Sequence, residues 1–149
     1  MGEKKVTYFH GGNRGLHVGD FILPPSETGV TCMAHAHHRK DRAYITPDIV
    51  DANFYASDPD HDHPVVYVVK PIGEIEPDPD CNRPGGSFTC EKAEIIAIRS
   101  IPGKVIKKAR KAMIRHMHEM EALKKAQAEG HGPGAILRTP KPSSICRHV

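Results

Sequence analysis

The run Val65-Val66-Tyr67-Val68-Val69-Lys70 constrains this chain more than any other stretch. Five consecutive β-branched or aromatic residues favour a strand. Because the run is continuous and does not alternate, it predicts burial on both faces. Shorter strands are expected around it. "VTYFHGG" places Val6, Tyr8 and His10 on one side, Thr7 and Phe9 on the other, and stops at Gly11-Gly12. "GLHVGDFILPP" gives a turn and a short apolar run ended by Pro24-Pro25, and residues 26–42 read as a long polar loop. "AYIT" is a short strand, and "FTCEKAEIIAIRSI" holds one or two more, with "EIIAI" central.

The helices follow a different period. Thr46 is placed to cap a helix running to about Ala56, with Pro47 in its first turn. Ile49, Ala52 and Ala56 give that helix a weak apolar face. From about Pro102 to Glu129 the apolar residues Ile106, Ala109, Met113, Met117, Met120 and Leu123 recur at three- and four-residue steps, which predicts one long helix whose stripe packs on the sheet. Strands and short helices first, then a long helix, indicate an α+β domain over residues 1–130, not alternating βαβ. The Gly/Pro/Ser-rich residues 131–149 read as a flexible tail.

Charge is unevenly distributed. Residues 1–98 hold nine Lys/Arg against fifteen Asp/Glu, whereas residues 99–149 hold twelve against three. The basic C-terminal third is a solvated helix face or a surface drawn to a polyanion such as nucleic acid. No apolar run approaches the roughly 20 residues of a membrane span, and "MGEKKVTYFHGG" has no apolar signal segment. A cytoplasmic protein with no membrane partner is therefore expected. Its four scattered cysteines, Cys32, Cys81, Cys90 and Cys146, are expected to be reduced thiols.

Several chemistries lack their motifs. "GGNRG" has neither the GxGxxG spacing nor the Lys-Ser/Thr of a phosphate loop, and no GxSxG nucleophile occurs. Cys32, His35, His37 and His38 crowd one loop, and His61 and His63 another, but their spacing fits no zinc module, so no metal is expected. The segment "IEPDPDC" remains. It places Glu76, Asp78 and Asp80 among Pro77 and Pro79, which suits either a solvated acidic turn or a carboxylate held rigidly at a catalytic cleft.

In order along the chain, "YFHGG", Gly19-Asp20, "AYITPD", "VYVVKPIGEIEPDPD" and "SFTCEKAEIIAI" resemble the motifs of the rifamycin (rifampin) ADP-ribosyltransferase family over roughly two-thirds of the sequence. The resemblance implies a small split β-sheet core of ADP-ribosyltransferase type with a C-terminal helix. It also implies metal-free use of NAD as a substrate, with mono-ADP-ribosyl transfer to a hydroxyl of a small-molecule antibiotic, rifamycin first, and hence resistance. It assigns catalytic roles to His10, Tyr44 and Asp78, and NAD binding to His10, Gly11, Tyr44 and Thr46. Pro77 stands where the family has a first Asp, and the loop after Asp78 is shorter, which leaves the acceptor open. Nucleic-acid or protein acceptors, and a non-catalytic NAD-binding module, are the alternatives. Arg14, Lys40 and Arg42 are the candidates to face the pyrophosphate.

Overall fold

A computed structural model describes residues 5–29, 40–79, 81, 83 and 85–128. The element order is β1 (Tyr8–Asn13), β2 (Phe21–Ile22), α1 (Pro25–Thr28), β3 (Ala43–Ile45), α2 (Ile49–Ala56), β4 (Pro64–Ile72), β5 (Glu76–Pro77), β6 (Phe88–Cys90), β7 (Lys92–Ser100) and α3 (Gly103–Ala128). The chain is α+β, with antiparallel sheets and a C-terminal helix. The expected tail, residues 131–149, and the loop carrying Cys32, His35, His37 and His38 lie outside the described residues.

β4 contains the Val/Tyr run. It is an interior strand of a four-stranded sheet ordered β1-β4-β7-β2, and Val65 to Val69 are all buried. Both of its faces are covered, as the unbroken apolar run predicts. On one face, Val65, Tyr67 and Val69 join Ile22, Ala93 and Ile95, and pack against Ala43, Ile45 and Cys90 of a second, three-stranded sheet ordered β3-β6-β5. On the other face, Val66, Val68, Phe9 and Ile101 pack against Ala52 and Ala56 of α2. One register shift interrupts β4 and β7. Val68 pairs with Ala97 and Val69 with Ile95, so Ile96 is an extra residue and is exposed.

The apolar stripe of α3 divides between two surfaces. Val105 and Ile106 cover the sheet face, as expected, but Met113, Ala112 and Met117 pack on Phe54 and Tyr55 of α2. α2 therefore stands between the long helix and the sheet over most of that contact. Two short elements have no sequence signature strong enough to be read. α1 is a single turn within the expected loop, and β5 is a two-residue strand within the acidic segment.

β1 and α2 run close together at Gly11. A Cβ there would lie 2.0 Å from Ala52 O and 2.6 Å from Ala56 N. Both obstacles are α2 backbone, so the whole helix would have to move. Gly11→Ala is expected to destabilise the fold by about 3 kcal/mol, the upper end for overpacking. At Gly12 a Cβ meets a side-chain atom, Tyr67 Cε2, at 3.3 Å, and Gly12→Ala should cost less. Equal denaturant midpoints for Gly11→Ala and the parent would exclude this account of α2 packing.

Candidate functional site

The site forms where the two sheets part. The Phe9 N–H donates to Thr46 O at 2.7 Å and the Thr46 N–H donates to Phe9 O at 2.9 Å, joining the edge of β1 to the end of β3. Past that bridge the chain turns into α2, and the edge of β1 faces a cleft. The cleft has a volume of about 830 Å³, within the range of small-molecule sites. Directions along β1 alternate. The Arg14 N–H donates to His63 O at 2.9 Å, on the β4 side. Residues 10, 12 and 14 therefore point their backbone polar groups toward β4. Phe9, Gly11 and Asn13 point theirs away. Gly11 thus presents its N–H and C=O on the cleft side while its Cα is pressed against α2.

His10 lines the cleft, and its Nδ1 lies 2.8 Å from Tyr44 O. A carbonyl only accepts, so Nδ1 carries the proton and donates. Burial pushes the His10 pKa below the ordinary histidine value; the Tyr44 carbonyl opposes that shift, and the nearby His61 adds to it. The neutral ring therefore leaves Nε2 as a hydrogen-bond acceptor, suited to a ligand O–H or N–H.

Tyr44, in β3, is half-buried on the cleft wall. Thr46 also lines the cleft, but its hydroxyl is engaged in the fold. It donates to Gly86 O at 2.8 Å and accepts the Asp48 N–H at 3.0 Å. The expectation that Thr46 caps the following helix is corrected. The cap is Asp48, whose Oδ1 accepts the Val50 N–H at 2.8 Å, and α2 starts at Ile49. The Thr46 hydroxyl is instead tied to the Gly86 carbonyl, beside the backbone bridge to Phe9.

Asp78 does not line the cleft. It is 5% exposed, and its N–H donates at 3.1 Å to the carbonyl of Ser87, which does line it. The carboxylate-bearing residue is thus one backbone hydrogen bond behind the Gly86–Ser87 wall. The segment from Asp78 to Ser87 is held at several points. Ser87 Oγ donates to Ile45 O at 3.4 Å, and the Gly86 N–H donates to Arg83 O at 3.0 Å. Arg83 runs across Gly86, where a Cβ would lie 2.8 Å from its Nε. Its Nη2 forms an ion pair with Asp51 of α2 and lies 3.4 Å from Asp48 Oδ2. Asp51 is fully buried and forms part of the cleft wall. Cys81, in the same segment, is disulfide-bonded, with its partner outside the described residues. That corrects the expectation of reduced thiols at this position; Cys90 is a free, buried thiol.

Of the three candidate cations, the structure brings Arg14 to the cleft. Arg42 is tied elsewhere: its Nη2 donates to Glu74 O at 2.8 Å and lies 3.7 Å from Glu76 Oε2. Lys40 is not among the lining residues. Sequence reasoning gave Asp58 no role and weighed His61 only as a metal ligand. Both line the cleft at the exit of α2, and Asp58 is buried. His61 donates its Nδ1–H to Ala56 O at 2.7 Å, and its own carbonyl accepts from Arg110 of α3 at 2.6 Å. These residues sit in "SDPDHDHP", a turn-rich string with no pattern pointing to a pocket. An apolar rim of Leu16, Phe21 and Leu23, each partly exposed, completes the mouth. Among the described residues no group of three or more His, Cys, Asp or Glu is placed to hold a metal ion, and no helix is long and apolar enough to cross a membrane.

Neither a scan against protein-family models nor a search of curated proteins finds a match to this chain.

Proposed function

We propose that this protein is an ADP-ribosyltransferase in fold and activity, cleaving NAD and passing ADP-ribose to an acceptor hydroxyl. The observation that carries the reading is the gathering of His10, Gly11, Tyr44 and Thr46 on one cleft. These residues come from two different sheets and are the ones the sequence resemblance singles out for NAD. A dinucleotide has an amide, two riboses and a pyrophosphate to recognise. The outward N–H and C=O of Gly11 match a carboxamide, which needs one donor and one acceptor. His10 Nε2 accepts a ribose hydroxyl, Tyr44 offers an aromatic wall for the nicotinamide ring, and Arg14 supplies positive charge toward the phosphates.

In the reaction the bond between C1′ of the ribose and the nicotinamide nitrogen breaks, and its electron pair leaves with nicotinamide. Positive charge develops on the ribose as in glycoside hydrolysis. The resemblance gives Asp78 the role of stabilising that charge or taking the proton of the attacking hydroxyl, which requires its carboxylate to reach the cleft past the Gly86–Ser87 wall; Asp58, already on the cleft, is the rival for that role. The new bond joins C1′ to the acceptor oxygen. The apolar rim of Leu16, Phe21 and Leu23 favours a bulky, largely apolar acceptor, and a rifamycin is the first to try. Modification of its hydroxyl adds bulk and charge, and resistance would follow.

Incubation with NAD labelled in the ADP-ribose moiety tests the reading. Label is expected on rifampicin, with stoichiometric nicotinamide release, and not on RNA or lysate protein. Label on RNA or on a protein keeps the transferase and changes the acceptor. Intact NAD with every acceptor, despite NAD binding, makes the protein a binding module.

A further inference from the structure

The long helix has a second face that neither the core nor the cleft uses. The first half of α3, Gly103 to Arg115, contains six Lys/Arg and no Asp or Glu. Arg110 is turned inward to His61 O. The other five, Lys104, Lys107, Lys108, Lys111 and Arg115, are all exposed. At 3.6 residues per turn, they fall within about 100° of arc. Met113, which is fully buried, lies opposite on the helix. The stripe extends for about 17 Å along the axis. The described ion pairs include none of its members.

From this placement we infer that the exposed face of α3 binds the phosphate backbone of a nucleic acid, independently of any reaction in the cleft. Five like charges held on one rigid face repel one another and gain from a partner with regularly repeated negative charge. A nucleic-acid strand places one phosphate about every 3.4 Å of duplex axis, so the stripe can follow several in succession. A lipid surface is a poorer fit. An interfacial helix inserts an apolar face, and the apolar side of α3 is already packed against α2 and the sheet. The stripe is rich in Lys and has no aromatic residue beside it, so it positions a backbone and reads no sequence.

The test is a fluorescence anisotropy titration of the full chain with labelled oligonucleotides of about 20 nucleotides, single-stranded and duplex, across a salt series. With up to five phosphates neutralised, the plot of log K against log salt should have a slope of about −3.5 for the single strand and about −4.5 for the duplex. The exposed triple variant Lys107→Gln/Lys111→Gln/Arg115→Gln should retain the parent melting curve. It should bind at least about tenfold more weakly near 50 mM salt, with its slope falling to less than half. A duplex-only or single-strand-only result identifies the form of nucleic acid and supports the inference. Dissociation constants above about 100 µM for both probes near 50 mM salt would overturn it. So would unchanged affinity and slope in the triple variant, or tighter binding to phosphatidylserine vesicles than to either probe.

Discussion

Asp78→Ala is expected to lower NAD turnover by about a thousandfold while changing the calorimetric NAD dissociation constant by less than about threefold. The asymmetry follows from where charge appears. In bound NAD the nicotinamide ring holds the positive charge, and the ribose becomes cationic only as the glycosidic bond breaks. A carboxylate near that carbon therefore acts on the transition state far more than on binding. Pro77 and Pro79 restrict the backbone on either side of Asp78, and its N–H is fixed to Ser87 O. Glu76→Ala should change turnover by less than about threefold, since Glu76 faces Arg42 in a partly exposed pair of the kind that contributes little. Asp58→Ala is the decisive comparison, because Asp58 lines the cleft and Asp78 lies just behind its wall. If Asp58→Ala abolishes turnover and Asp78→Ala retains it, the reacting carboxylate belongs to the α2 exit and not to the acidic segment.

What the sequence revealed depended on how local each signal was. β4 was legible because five adjacent residues all need burial, and α3 because its apolar period persists from Ile106 to Leu123, about five turns. Each signal is contained within its own element. The gathering of His10, Gly11, Tyr44 and Thr46 was legible only through the order of motifs, since no local pattern brings β1 against β3. The backbone bridge from Phe9 to Thr46 that does so leaves no mark on side-chain identity. The choice of helix cap failed for a related reason. Thr46 and Asp48 are both good caps, but the Thr46 hydroxyl is taken by the distant Gly86 carbonyl, and Asp48 caps the helix. The ion pair of Asp51 with Arg83 spans 32 positions and was not visible at all. "DCNRPGG" reads as an ordinary polar turn until α2 is placed beside it. The state of Cys81 was likewise invisible, because spacing alone does not pair widely separated cysteines.

That long-range pair carries the second large expected effect. Arg83→Ala should destabilise the protein by about 3 kcal/mol, roughly 6–12 °C in melting temperature for a chain of this size. Removing Arg83 leaves the Asp51 carboxylate, 1% exposed, without its cation and with Asp48 still nearby. Two features moderate the cost. The departing side chain is 32% exposed, so water can enter its place, and Asp51 lies in the first turn of α2, where the helix dipole favours negative charge. These keep the expected value at the lower end for a broken buried pair. Asp51→Asn should cost less, because Arg83 retains Asp48 and solvent. Arg83→Lys should fall between, since it keeps the charge and loses the guanidinium reach across Gly86. The double variant Arg83→Met/Asp51→Leu removes both charges and should recover most of the lost stability. It should still impair turnover, because the Asp78–Ser87 segment would lose its tie to α2. Urea unfolding of the four variants decides the matter. If Arg83→Ala unfolds at the parent midpoint, or the double variant is no more stable than Arg83→Ala, then desolvated charge at Asp51 is not what Arg83 relieves.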